Sequence, residues 1–156
     1  MSMVAQNLSA VLHTLPEGVQ LVAVSKFHPV EALQQAYDAG QRLFGESRVQ
    51  ELNEKRRHLP ADIRWHFIGH LQTNKVRQLI GNVDMIESVD SDRLLRLIDK
   101  ESAAAGVVTR VLLQVHVAAE ETKFGFLPDE LSEWFRSGGY TTLKATHICG
   151  LMAMAS

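Results

Sequence analysis

Apolar residues in this chain recur in two rhythms that take turns along its length. Val4, Leu8, Val11, Leu12 and Leu15 share one face at helical spacing and predict a helix over residues 2–14. The run "LVAVSK" that follows is apolar and β-branched, as a buried strand is. Val30, Leu33 and Tyr37 form the next stripe, predicting a helix over 29–39 with Pro29 at its first position and Gly40 as its stop. "RLFGES" reads as a second strand. Ser47 and Gln50 then stand at capping-box spacing ahead of a helix over residues 48–58. "IRWHFIG" is a third strand, followed by Thr73 as an N-cap with Val76, Leu79 and Ile80 behind it. "DMIESV" is a fourth. Ser91 caps a helix that turns Leu94, Leu95 and Ile98 inward and stops at Gly106. "RVLLQVHV" is the fifth strand and the clearest. Pro128 opens a helix carrying Leu131, Trp134 and Phe135, which "GG" at 138–139 ends, and "TLKATHICGLMAM" holds a sixth strand.

Strand and helix therefore alternate throughout, without repeats, linkers or low-complexity tracts. That pattern places the chain in the α/β class, with parallel strands joined by right-handed crossover helices. Two architectures satisfy it: an open doubly wound sheet and a (β/α) TIM-type barrel. An eight-stranded barrel typically takes ~250 residues, so six units in 156 residues make an incomplete one. In both, ligand chemistry gathers at the C-terminal ends of the strands.

Composition narrows the class further. The chain is 46% hydrophobic and 22% charged with a net charge of -2, ordinary values for one globular domain. No basic footprint for nucleic acid or an anionic membrane is present, and no apolar run reaches the ~20 residues that span a bilayer. The opening "MSMVAQNLSAVLHTL" lacks the signature of an export signal, and the single cysteine rules out an intrachain disulfide. The expected location is cytoplasmic, and Cys149 is expected to be a small buried hydrophobe.

Against this background Lys26, at the end of an apolar strand, is out of place. Three roles fit it. Its stem can cover the rim while the ammonium reaches water; it can serve as a point charge for a phosphate or carboxylate; or, partly desolvated, it can present a free amine that condenses with an aldehyde.

The neighbouring motifs choose among these. "AVSK" at the first strand, "FGES…VQE" at the second, "WHFIGHLQTNK" at the third and "GLMAM" at the sixth, in that order, closely resemble the pyridoxal 5′-phosphate homeostasis protein family. Its members are similar to the barrel domain of alanine racemase, and the resemblance runs from about residue 5 to Ser156. It implies a fold-type III barrel in which Lys26 binds pyridoxal phosphate as a Schiff base. It also implies a carrier or storage role without established turnover, with pyridoxal-phosphate-dependent enzymes as recipients. Ser47, Asn74 and Met152 are the further cofactor-binding candidates. Ser47 replaces the asparagine of the family's Gly-Glu-Asn triplet and has helix capping as its alternative role. Asn74 and Lys75 follow the family pattern, and Met152 is expected to line the barrel interior. Members continue through two further βα units that cup the cofactor phosphate. Residues 1–156 are therefore expected to be the N-terminal part of a longer barrel, and without the phosphate-cupping units the imine from Lys26 is expected to form only weakly in the shorter chain.

Other chemistries are less well supported by the residues. His66, His70, His116 and His147 lie on or beside strands, but their spacing matches no standard zinc motif. No tyrosine or histidine can be assigned as the second acid or base that amino-acid chemistry on the cofactor requires. A racemase-like enzyme and a Schiff-base aldolase using Lys26 on a sugar phosphate remain the alternatives.

Overall fold

A computed structural model of the chain describes residues 1–117 and 124–155. Helices α1 (Met3–Thr14), α2 (Val30–Asp38), α3 (Val49–His58), α4 (Val76–Leu79), α5 (Asp92–Ala105) and α6 (Pro128–Arg136) alternate with six strands. The strands are β1 (Ala23–Val24), β2 (Leu43–Glu46), β3 (Arg64–Phe67), β4 (Met85–Val89), β5 (Thr109–Gln114) and β6 (Thr146–Met152).

All pairings are parallel and the spatial order is β1-β2-β3-β4-β5-β6, with no reversal. This decides between the two architectures, because a doubly wound sheet reverses its strand order at a switch point. Crossovers of one hand in sequential order put every helix on the same face. Accordingly, one apolar cluster joins Phe44, Phe67, Ile86 and Val111 of the strands to Leu33, Leu52, Leu95 and Ile98 of the helices. The opposite face is the concave inside of a barrel wall. Gly45 marks it: a Cβ there would lie 3.0 Å from Val22 and 3.1 Å from Ile68, whereas its neighbour Phe44 is buried under the helices.

Several local expectations shift. β1 pairs through only two residues, so Lys26 lies in the turn beyond the ladder. Pro29 is the N-cap of α2, and Val30 is its first residue. Ser47 does not cap α3: the chain stays extended through Arg48 (φ -129°, ψ 130°), which is the N-cap and makes no side-chain capping bond. Thr73 opens a 3₁₀ turn, Thr73–Lys75, with Gln72 before it. Cys149 is exposed rather than buried, because β6 ends the sheet and its residues 147, 149 and 151 have no covering layer. Ser91 and Gly106 do bound α5. Ser91 Oγ accepts from the Leu94 amide at 3.1 Å, and Gly106 takes the left-handed φ of 70° that closes a helix.

Asp99 of α5 ties down the start of β6. Its carboxylate accepts from the Ala145 amide at 2.7 Å, the Lys144 amide at 3.1 Å and Thr146 Oγ1 at 2.8 Å. Burial opposes ionisation, but these donors outweigh it and hold the carboxyl below its usual range. A depressed carboxyl stabilises the fold above its unfolded value, about 3.9, and that contribution disappears as pH falls through the folded value. Asp99→Ala is therefore expected to remove part of the acid sensitivity of unfolding. It should also speed amide exchange across Thr146–Met152, which hydrogen-exchange mass spectrometry reads directly.

Candidate functional site

The site is assembled at the C-terminal ends of β1, β2 and β3. Along β1, Ala23 faces the core opposite Phe44, and Val24 stands opposite Gly45. Ser25 returns to the helix side, where its hydroxyl donates to Glu46 Oε2. Lys26 follows in the turn at the C-terminal end of β1, next to the concave face that Val22, Val24, Gly45 and Ile68 share. Lys26 is exposed, and among the described residues no carboxylate lies within ion-pair distance of it.

The backbone around Lys26 is held from α3. Lys55 Nζ donates to the Ser25 carbonyl at 2.7 Å, to Glu46 Oε2 at 2.9 Å and to Glu51 Oε2 at 2.8 Å. Glu51 Oε2 also accepts the Phe27 amide at 2.7 Å. Glu46 is fully buried and Lys55 nearly so, with side-chain exposures of 0% and 7%. Partial burial of Glu51 opposes its ionisation, yet the bonds from Lys55 and Phe27 prevail and its carboxyl sits below the usual value. Phe27 itself has φ 67°, the one non-glycine residue at positive φ among those described, and the Arg48 guanidinium lies 4.8 Å from its ring centre.

The other candidates occupy different ground. Ser47 lies at the end of β2 with its carbonyl against Gly69, where a Cβ would come within 2.2 Å of that oxygen. Neither partner is a flexible tip, so Gly69→Ala is expected to cost roughly 1–3 kcal/mol of stability, measurable by urea unfolding. On the helix side of the rim, a cleft of about 890 Å³ is lined by Phe27, His28, Ser47, Arg48, His70 and Lys75. Lys26 is not part of it. Asn74 opens instead onto shallow grooves between α4 and α5, beside Arg77, Leu97 and Glu101. Met152 pairs with Gln114, which alternates with core residue Leu113, so it sits on the concave face at the same end of the sheet as Lys26.

The histidines are drawn into separate pairs. His66, on the concave face, has Nδ1 2.6 Å from Glu87 Oε1 and Nε2 3.6 Å from Asp84 Oδ2. His70 approaches Asp90 at 3.3 Å and stacks on Phe124 with ring centres 4.1 Å apart. Among the described residues no three such side chains converge as a metal site.

A sequentially ordered parallel sheet under one helical layer, with a lysine just beyond its first strand, is the wall of a (β/α)-barrel protein. The family described as "Alanine racemase, N-terminal domain" matches residues 1–156. Within it, the chain belongs to the pyridoxal phosphate homeostasis protein family. It is 40% identical to the pyridoxal phosphate homeostasis protein of Schizosaccharomyces pombe over 140 residues, 88% of this chain and 58% of that protein. It is 41% identical to that of Aquifex aeolicus, covering 86% of this chain and 59% of the relative. The chain thus spans somewhat under two thirds of the length of these relatives. PipY of Synechococcus elongatus, solved with pyridoxal phosphate bound, superposes with a TM-score of 0.86 at 38% identity, covering 98% of this chain and 71% of PipY. Alanine racemase of Clostridium difficile superposes at 0.80 with 18% identity, covering 96% of this chain and 39% of the racemase, a likeness of fold.

Proposed function

We propose that this chain forms the first six βα units of a pyridoxal-phosphate-binding barrel and takes part in cofactor homeostasis as a carrier rather than as an enzyme. The observation that carries this reading is the exposed Lys26, free of ion pairs among the described residues, in the turn beyond β1 at the C-terminal end of the sheet. An apolar wall of Val22, Val24 and Ile68 beside an accessible amine suits an aromatic aldehyde. The amine adds to the aldehyde carbon, water leaves, and a reversible C=N link replaces C=O. Such a link lowers the free concentration of a reactive aldehyde while keeping it available to recipient enzymes in the cytoplasm. Among the described residues no helix is long and apolar enough to cross a membrane.

Met152, on the concave wall, is the proposed flanking contact, whereas Ser47 lines the helix-side cleft that Lys26 does not enter and is not counted as one. Asn74 faces the α4–α5 grooves, so no direct contact from it is included. The relatives named for cofactor homeostasis and the PipY complex support this reading.

Titration with pyridoxal 5′-phosphate tests it. A near-visible band should develop, and borohydride should fix the cofactor's mass on the Lys26 peptide. If both this chain and a version extended through the two further βα units stay colourless and unlabelled, the reading is overturned. Racemisation of alanine at ordinary enzymatic rates would overturn the carrier role alone.

A further inference from the structure

We propose that Glu51, working through Lys55 and Glu46, is a positioning residue that clamps the backbone on both sides of Lys26 and so presents its amine to the cofactor. This rests on the cofactor-binding reading above and extends it to residues that do not touch the ligand. The β1 ladder is two residues long and stops at Val24, and sheet pairing contributes only the Ser25 amide's bond to the Gly45 carbonyl at 3.0 Å. Something else must fix a loop whose lysine has four rotatable side-chain bonds.

A turn bond from the His28 amide to the Ser25 carbonyl at 3.1 Å closes the loop, and the rest of the fixation comes from one face of α3 and from its cap. Glu51 and Lys55 are four apart and project from the same side of α3, and Arg48 precedes them as its cap. Lys55 spends its three N–H groups on Ser25, Glu46 and Glu51, which leaves none free to rotate elsewhere. The residue before Lys26 is thereby held by its carbonyl. The residue after it is held by its amide, which donates to the same Glu51 oxygen that Lys55 uses. A positive φ in a phenylalanine persists only where its surroundings enforce it. Here the Glu51 acceptor and the Arg48 guanidinium over the ring do so. Lys26 is thus bracketed by two anchored peptide groups while its own side chain makes no ion pair among the described residues.

A clamp lowers the entropy lost on tethering, so its removal weakens cofactor binding without removing the reacting group. Glu51→Ala is expected to raise the apparent dissociation constant for pyridoxal 5′-phosphate about tenfold and to slow the appearance of the near-visible band. Glu51→Gln, which keeps an acceptor for the Phe27 amide, should recover most of that loss. Amide exchange at Phe27, measured without cofactor, should accelerate in Glu51→Ala and stay near the parent rate in Glu51→Gln. Should Glu51→Ala fail to fold, Arg48→Ala, at an exposed position, removes the ring contact alone and should give a smaller change of the same sign. If the parent chain labels at Lys26 and Glu51→Ala matches it in affinity, rate and exchange, the clamp is wrong. If neither the parent chain nor the extended version labels but Phe27 exchange depends on Glu51, the clamp stands and the cofactor reading falls.

Discussion

Lys26→Ala is expected to abolish covalent capture of pyridoxal 5′-phosphate, eliminating both the near-visible band and the borohydride-stable adduct. Stability should hardly change, because the side chain is exposed and makes no ion pair among the described residues; such surface substitutions stay within about 0.5 kcal/mol. The pairing of a complete chemical loss with an intact melting curve distinguishes a reacting lysine from a structural one. Lys26→Arg sharpens the test. It keeps a positive charge for the cofactor phosphate but cannot condense with an aldehyde at neutral pH. Residual colourless binding by Lys26→Arg, absent in Lys26→Ala, would measure the electrostatic share. A band that survives in either variant would move the tether to another amine.

Lys55→Met is expected to have the largest effect on folding. Glu46 is fully buried, its Oε1 has no hydrogen-bond partner among the described residues, and Oε2 is compensated by Lys55 and Ser25 alone. Removing the ammonium leaves a buried carboxylate with a hydroxyl as its only donor. Breaking one side of such a pair costs about 3–5 kcal/mol, equivalent to a melting point lower by roughly 6–20 °C for a chain of this size. The double variant Glu46→Leu, Lys55→Met should regain much of that, since an apolar pair of similar volume removes the orphaned charge. A single variant that melts with the parent would show that the network contributes little to stability.

The fold was largely legible in the order of apolar rhythms. Each helix and strand announced itself through spacing, and the boundary residues Ser91 and Gly106 do what their chemistry suggests. Strand order was not legible, because alternation is common to sequential and reversed sheets, and only the register from β1 to β6 separates them. Lys26 was visible as a charge ending an apolar run. Its clamp was not recognised, although "FGES…VQE" contains both glutamates and Glu51 and Lys55 have helical ion-pair spacing. Spacing on α3 cannot reveal that Lys55 also reaches Ser25 and Glu46 across to the sheet. Ser47 was misread as a cap for a related reason. Its carbonyl packs against Gly69, a contact between two strand ends, and the backbone stays extended for one residue more than local pattern suggests.

The atoms that bracket Lys26 all belong to a stretch whose widest separation is thirty residues, Ser25 to Lys55. Short closures of this kind form at low entropic cost and need nothing from later in the chain. Damage to β5 or β6 therefore reaches that lysine only by weakening the shared core, while damage to α3 reaches it without crossing the core at all.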